Sequence, residues 1–227
     1  MAKILEVIVT SVDEAAEAAT GGADRLELVR ALDVGGLTPD IVLIPQVLAA
    51  VKVPVRVMLR DQPCMSITSL GELRSLQARA SKISEYPIDG LVMGFVRGHS
   101  VDVESMREIC SAAPACPVTF HRAFDELPDP LAAIEDLKQI AQVDRILTTG
   151  GSGTWPERKN RLLEWQCAAA PKLKLLVGAG LCRAVLADLA STPGLEEFHL
   201  GRAARIPHCV EGKVAREAVR SLKSALG

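Results

Sequence analysis

Pro117-Val118-Thr119-Phe120-His121-Arg122-Ala123-Phe124-Asp125 begins as a short apolar run and ends as a polar cluster. Pro117 bounds the run, and Thr119, His121, Arg122 and Asp125 follow within seven residues. Pro128 and Pro130 then punctuate the start of a helix. The pattern predicts a strand that delivers polar groups at its end, followed by a turn and a helix. In alternating α/β folds, chemistry gathers at such strand ends. The plainer alternative is an ion-paired strand terminus.

The same unit recurs along the chain. Strands are predicted at 3–10, 24–29, 54–59, 88–95, 117–121, 144–148, 173–177 and 195–200. Ser11-x-x-Glu14 is a capping box for the first helix, which Gly21-Gly22 ends. Thr38-Pro39 reads as a cap and N1 proline for a helix to about Val51. Further helices are predicted at 68–86, 103–112, 131–142, 155–169, 182–189 and 213–226. Eight strand–helix units with short connections in 227 residues predict a closed (β/α)8 TIM barrel, with residues 1–227 as one domain. An open doubly wound sheet is the runner-up; no G-x-G-x-x-G follows the first strand.

Composition agrees with this. Hydrophobic residues make up 48% but aromatics only 3%, so the core must be aliphatic, which suits a parallel sheet under helices. A net charge of -2 with mixed signs excludes a basic nucleic-acid surface. No run reaches the about 18 apolar residues of a membrane span. No signal-peptide pattern opens the chain, so a cytoplasmic protein is expected. The six cysteines are scattered, without C-x-x-C, and read as reduced thiols.

Period two along the strands sorts the candidate site. Glu6 interrupts the first strand; Arg25 and Glu27 share a face of the second, and Arg56 and Arg60 of the third. Thr119 and His121 share a face of the fifth, Thr148 ends the sixth, and Glu197 and His199 share a face of the eighth. Glu6, Glu27 and His121 are the candidate acids and bases. Arg25, Arg56 and Arg60 are candidates to hold an anion, together with Thr119, Arg122, Asp125, Thr148 and His199. Gly178-Ala179-Gly180 and Gly201-Arg202 follow the last two strands, where barrels of this kind bind phosphate through backbone N–H groups. Ion pairs that merely plug the barrel, Glu6 with Arg25 for example, are the structural alternative. No lysine sits at a strand's C-terminal end for a Schiff base, and no nucleophile elbow is present. Spacing offers no metal motif; Cys64, Cys182 and Cys209, beside Met65, are weak candidates for monovalent copper.

Leu5-Glu6-Val7, Gly22-Ala23-Asp24-Arg25-Leu26-Glu27-Leu28, Gly35-Gly36-Leu37-Thr38-Pro39, Thr119 to Asp125, Asp144 to Thr148, Gly178-Ala179-Gly180 and Glu197-Phe198-His199 together resemble the CutC family. The resemblance implies a (β/α)8 barrel, a cytosolic and often homodimeric protein, and a link to copper homeostasis and copper binding. The family pattern commonly places cysteines where this chain has Ile8 and Val29, so that thiol pair is missing here. The loop after the third strand, here Arg60-Asp61-Gln62-Pro63, also lacks the family's paired glycines. Loss of the thiols with retention of the polar mouth points to a small-molecule site. The expectation is a CutC-like protein nominally of copper homeostasis; the alternative is an isomerase, epimerase or lyase acting by acid–base chemistry on a small anionic substrate, for example a phosphorylated one.

Overall fold

The computed structural model describes residues 2–227. Its parallel strands are β1 (Ile4–Val9), β2 (Arg25–Leu28), β3 (Val55–Met58), β4 (Gly90–Met93), β5 (Val118–Phe120), β6 (Val143–Thr148), β7 (Lys174–Val177) and β8 (Glu197–Leu200). Each bonds to the next in chain order, and β8 bonds to β1, closing an eight-stranded barrel. Around it lie α1 (Val12–Gly21), α2 (Leu43–Ala50), α3 (Leu70–Ile83), α4 (Val103–Ser111), α5 (Pro130–Lys138), α6 (Trp155–Ala169), α7 (Arg183–Ala190) and α8 (Arg216–Lys223). No described helix is long and apolar enough to cross a membrane.

Local chemistry sets most of the boundaries. Ser11, in extended conformation, accepts the Glu14 N–H at 3.2 Å and starts α1. Gly22 ends it at φ 102, a conformation a side chain disfavours. Two expectations fail. Thr38-Pro39 does not open α2, which begins at Leu43. The Thr38 hydroxyl instead accepts the Arg60 N–H at 2.9 Å and donates to Asp61 at 2.9 Å, tying the two loops together. The last helix starts at Arg216 rather than 213, because Lys213–Val214 pairs antiparallel with Arg205–Ile206.

Alternation along the strands divides the apolar residues into two groups. Leu5, Val7, Leu26, Leu28, Leu175 and Phe198 point outward into the main core beneath the helices. Each fully buried aliphatic chain contributes about 1.5–3 kcal/mol there. A second, smaller cluster of Ile8, Val29, Met58 and Val92, with Leu32 against it, packs separately from that core. Ile8 and Val29 share strand parity with Glu6 and Glu27, which places this cluster inside the barrel.

Ion pairs fill the barrel's N-terminal end. Arg56 Nη1 and Nη2 donate to Asp144 at 2.8 and 2.7 Å, Nη1 also to the Thr119 hydroxyl at 2.7 Å, and Nε to Asp89 at 2.8 Å. Asp89 and Asp144 stand at or next to the starts of their strands, so Arg56 points to the floor. Arg145 Nε joins Glu197 at 2.7 Å. Arg25 links the floor to the layer above, donating to Glu197 at 2.7 Å and to Glu6.

Candidate active site at the barrel mouth

A cavity of about 700 Å³ opens at the C-terminal ends of the strands. Its wall includes Glu27, Met58, Arg60, His121, Leu147 and His199, with Arg122, Asp125, Gly180, Gly201 and Arg202 toward the rim. Polar and apolar groups thus share one wall, as a site for a small molecule requires.

β1, β2 and β8 are neighbours, and their inward residues meet at the base of this cavity. Glu6 lies opposite both Arg25 and His199 in register. His199 Nδ1 is 2.8 Å from Glu6 Oε1 and 3.3 Å from Glu27 Oε2. Burial opposes the charge on Glu6, but Arg25 and His199 outweigh it and hold the carboxyl well below the usual range. Glu27 has no such arginine bond. Burial, with repulsion from Glu6, raises its pKa to about 7 against the pull of His199. Its Oε1 is buried and has no hydrogen-bond partner. Burial works against a charge on His199, yet Glu27 and Glu6 raise its pKa above the ordinary value.

His121 is controlled differently. Its Nδ1 accepts the Ala123 N–H at 3.2 Å, in the 3-10 turn that follows β5. Burial and the nearby charges of Arg60 and Arg122 push its pKa down to about 3, so the ring is neutral. Its Nε2 is buried without a partner. Arg60 donates Nη2–H to Val34 O at 2.7 Å and Nη1–H to Met65 Sδ at 3.0 Å, leaving Nε without an acceptor.

Glycines make room for both imidazoles. A Cβ on Gly94 would lie 2.7 Å from His121 Nδ1, and one on Gly178 would lie 2.7 Å from Leu147 Cδ1 and 3.2 Å from His199 Cβ. Gly178 therefore stands behind His199 rather than lining the cavity.

The other expected residues divide by height and by face. Arg56 and Thr119 belong to the ionic floor. Glu6 and Arg25 lie beneath the cavity and act on it through His199 and Glu27. Thr148 points away from the cavity and donates to Asp125 Oδ1 at 2.6 Å, while its neighbour Leu147 faces in. Asp125 also receives the Thr149 N–H at 3.2 Å, which fastens the turn after β5 to the end of β6. The sequence reading missed Asp89, Asp144 and Arg145. Aspartates where strands begin were the available signal for a charged floor.

The donors do not suit monovalent copper. Cys64 and Cys182 are exposed, Cys209 is half-buried, and none of the three lines the cavity. Cys110 and Cys116 lie in the outer core, where burial pushes the Cys110 thiol up to about 11. Ile8 and Val29 present hydrocarbon inside the barrel. Among the described residues, Glu6, Glu27 and His199 bring potential ligand atoms within 4.8 Å of one another. These are oxygen and imidazole donors rather than the thiolate and thioether that monovalent copper selects. Bonds among the three and with Arg25 already engage Glu6 and His199.

Comparison with known proteins agrees with this architecture. The model of the CutC family matches residues 3–204. The human copper homeostasis protein cutC homolog is 35% identical over 201 residues, covering 86% of this chain and 72% of the human protein. A family protein CutC from Vibrio vulnificus is 32% identical, covering 88% of this chain and 82% of its own. The crystal structure of CutC from Streptococcus agalactiae superposes with a TM-score of 0.80 at 25% identity, covering 88% of this chain and 98% of that one. With the family model spanning nearly all of the barrel, the chain belongs to the CutC family.

Proposed function

We propose that the barrel mouth is the active site of an enzyme that moves a proton on a small anionic substrate, in an isomerase, epimerase or lyase reaction. One observation carries the reading. Glu27 is buried on the cavity wall, its Oε1 has no partner, and its pKa is raised to about 7. A carboxyl near neutrality supplies both a base and an acid at working pH. Structural ion pairs do the opposite: Glu6 and Glu197 are held below the usual carboxylate range.

The surrounding groups have separate tasks. Glu6 anchors His199, and His199 carries the positive charge that limits how far the Glu27 pKa rises. Arg122 and Arg202 at the rim favour a substrate with a carboxylate or phosphate at its outer end, against the turns at Gly180 and Gly201. The apolar wall of Ile8, Leu32 and Met58 keeps water from the deep end. Relatives are named for copper homeostasis. In this chain we read that link as indirect, acting through a metabolite, because none of the cysteines lines the cavity and the Met65 thioether there is engaged by Arg60. The cytosolic location and homodimeric state that the family resemblance implies belong to the same proposal.

The test is hydrogen exchange. The protein is incubated in D2O with a panel of small phosphorylated and carboxylated metabolites, and mass spectrometry reads incorporation of deuterium at carbon. Exchange with the wild type and none with Glu27→Gln is expected. Exchange that survives Glu27→Gln, or none on any panel member, overturns the reading.

A further inference from the structure

The proton-transfer reading of Glu27 is the basis here, and the geometry beside it narrows the substrate class. Two donors at the mouth have no acceptor within the described residues. His121 Nδ1 accepts the Ala123 N–H, which assigns the ring proton to Nε2, and Nε2 is buried and unpartnered. The Arg60 guanidinium is fixed by Val34 O and Met65 Sδ, and its Nε–H is buried and unpartnered. Both side chains line the cavity that also holds the free Glu27 Oε1. A buried donor or acceptor without a partner is destabilising. A ligand oxygen seated between the donors satisfies two of them together.

Two fixed N–H donors beside a carboxylate of neutral pKa form a recognisable chemical set. Donors stabilise negative charge that develops on an oxygen while a base removes a proton from the adjacent carbon. A neutral imidazole serves this role because its own N–H is a weak acid that holds the proton while it bonds to the oxygen. His121 thereby has a different task from the acid–base one expected from sequence.

We infer that the substrate presents a carbonyl or carboxylate oxygen to His121 Nε2–H and Arg60 Nε–H, and the hydrogen of the neighbouring carbon to Glu27. The Glu27 carboxylate takes that proton. The C–H electron pair becomes the C=C bond of an enolate, and the carbonyl π pair moves onto the oxygen. Epimerisation is completed when water protonates that carbon from the opposite face and Glu27 gives its proton to the hydroxide left behind. In an α-hydroxy carbonyl substrate the hydroxyl instead passes its proton to the enolate oxygen, its C–O becomes the new C=O, and the protonated Glu27 delivers its proton to the former carbonyl carbon. The result is epimerisation or a 1,2 shift, with no redox partner and no leaving group.

The experiment uses acetohydroxamate and oxalate as planar-oxygen probes and inorganic phosphate as a tetrahedral one. Nitrogen-15 NMR of the wild-type protein reads the His121 ring directly. One proton at Nε2 across roughly pH 5 to 8 is expected, with a shift of that resonance when either planar probe binds. His121→Ala and Arg60→Lys, each checked for retained fold by circular dichroism, should weaken planar-probe binding about tenfold or more. A ring that titrates in that range, a resonance unmoved by saturating planar probe, or an equal response to phosphate overturns the enolate inference. Glu27-dependent deuterium exchange would survive each of those results, so failure of the inference is distinguishable from failure of the broader reading.

Discussion

Glu6 Oε1 and His199 Nδ1 stand 2.8 Å apart at the base of the mouth, and the same nitrogen is 3.3 Å from Glu27 Oε2. One ring nitrogen thus serves two carboxylates, and it lies nearer the one that Arg25 already holds. The two acids are driven apart: Glu6 stays ionised, while Glu27 is left poised near pH 7. Replacing His199 by Gln removes the largest influence that lowers the Glu27 pKa. The Glu27 pKa should then rise above about 7, as read by carbon-13 NMR of a labelled glutamate side chain. An unchanged value would mean that His199 carries no charge beside it.

Stability should respond to pH through two opposed groups. Folded Glu27 keeps its proton up to about pH 7, against an ordinary value of 4.5, so its contribution falls as pH rises through that window. Folded His121 refuses a proton down to about pH 3, against an ordinary 6.5, so its contribution is lost as pH falls below 6.5. The two offset each other between pH 4.5 and 6.5. Glu27→Gln removes the arm that opposes His121, and its stability should climb by roughly 2 kcal/mol more than the wild type across that range. Urea unfolding at three pH values checks this; parallel profiles would show that Glu27 has an ordinary pKa.

Much of this site was legible in the sequence, because period two fixes which strand residues face inward. Glu6, Arg25, Glu27, His121 and His199 share that face as expected, and the Glu6–Arg25 pair is present. Height along the strand was not legible. Arg56 and Arg60 share a face but stand four residues apart, about 13 Å along a strand, so one meets the floor aspartates and the other the cavity. Thr148 failed on parity, since Leu147 takes the inward position. The neutral state of His121 depends on a backbone N–H two residues on and on burial, and neither is encoded in residue type.

Gly94 should be intolerant of alanine for a purely steric reason. The added Cβ would meet His121 Nδ1 at 2.7 Å and Cε1 at 3.1 Å. The ring must move, and the Ala123 N–H loses its acceptor. Destabilisation of about 1–3 kcal/mol is expected, with loss of planar-anion binding. Chemical denaturation and acetohydroxamate titration measure the two effects. Full binding in Gly94→Ala would show that the ring position is not set by this contact.

The ionic floor should matter for folding and not for the ligand. Arg56→Ala leaves Asp144, Asp89 and the Thr119 hydroxyl without their shared donor. Asp89 and Asp144 are each about a third exposed, so water partly screens them and losing the donor costs about 1–3 kcal/mol rather than the full penalty of a buried pair. In the variant that remains folded at low temperature, anion affinity should stay within about twofold of the wild type, a change below 0.5 kcal/mol. A large loss of affinity would place Arg56 in the binding machinery after all.

Copper offers the sharpest contrast between this chain and its family pattern. Ile8 and Val29 occupy the positions where the sequence resemblance led us to expect cysteines, and the structure packs them with Met58 in one cluster inside the barrel. Reduced wild-type protein, titrated with monovalent copper against a competing chelator, should take up no tightly held equivalent. The double variant Ile8→Cys with Val29→Cys sets two thiols beside the Met58 thioether, the soft donors that monovalent copper selects. It should gain one tightly bound equivalent. Tight binding by the wild type would mean that its exposed thiols form a site, and Cys64→Ser, Cys182→Ser and Cys209→Ser would locate it. If neither protein bound, the cluster would be too closely packed for an ion even with sulfur in place, and the apolar wall would belong to the organic ligand alone.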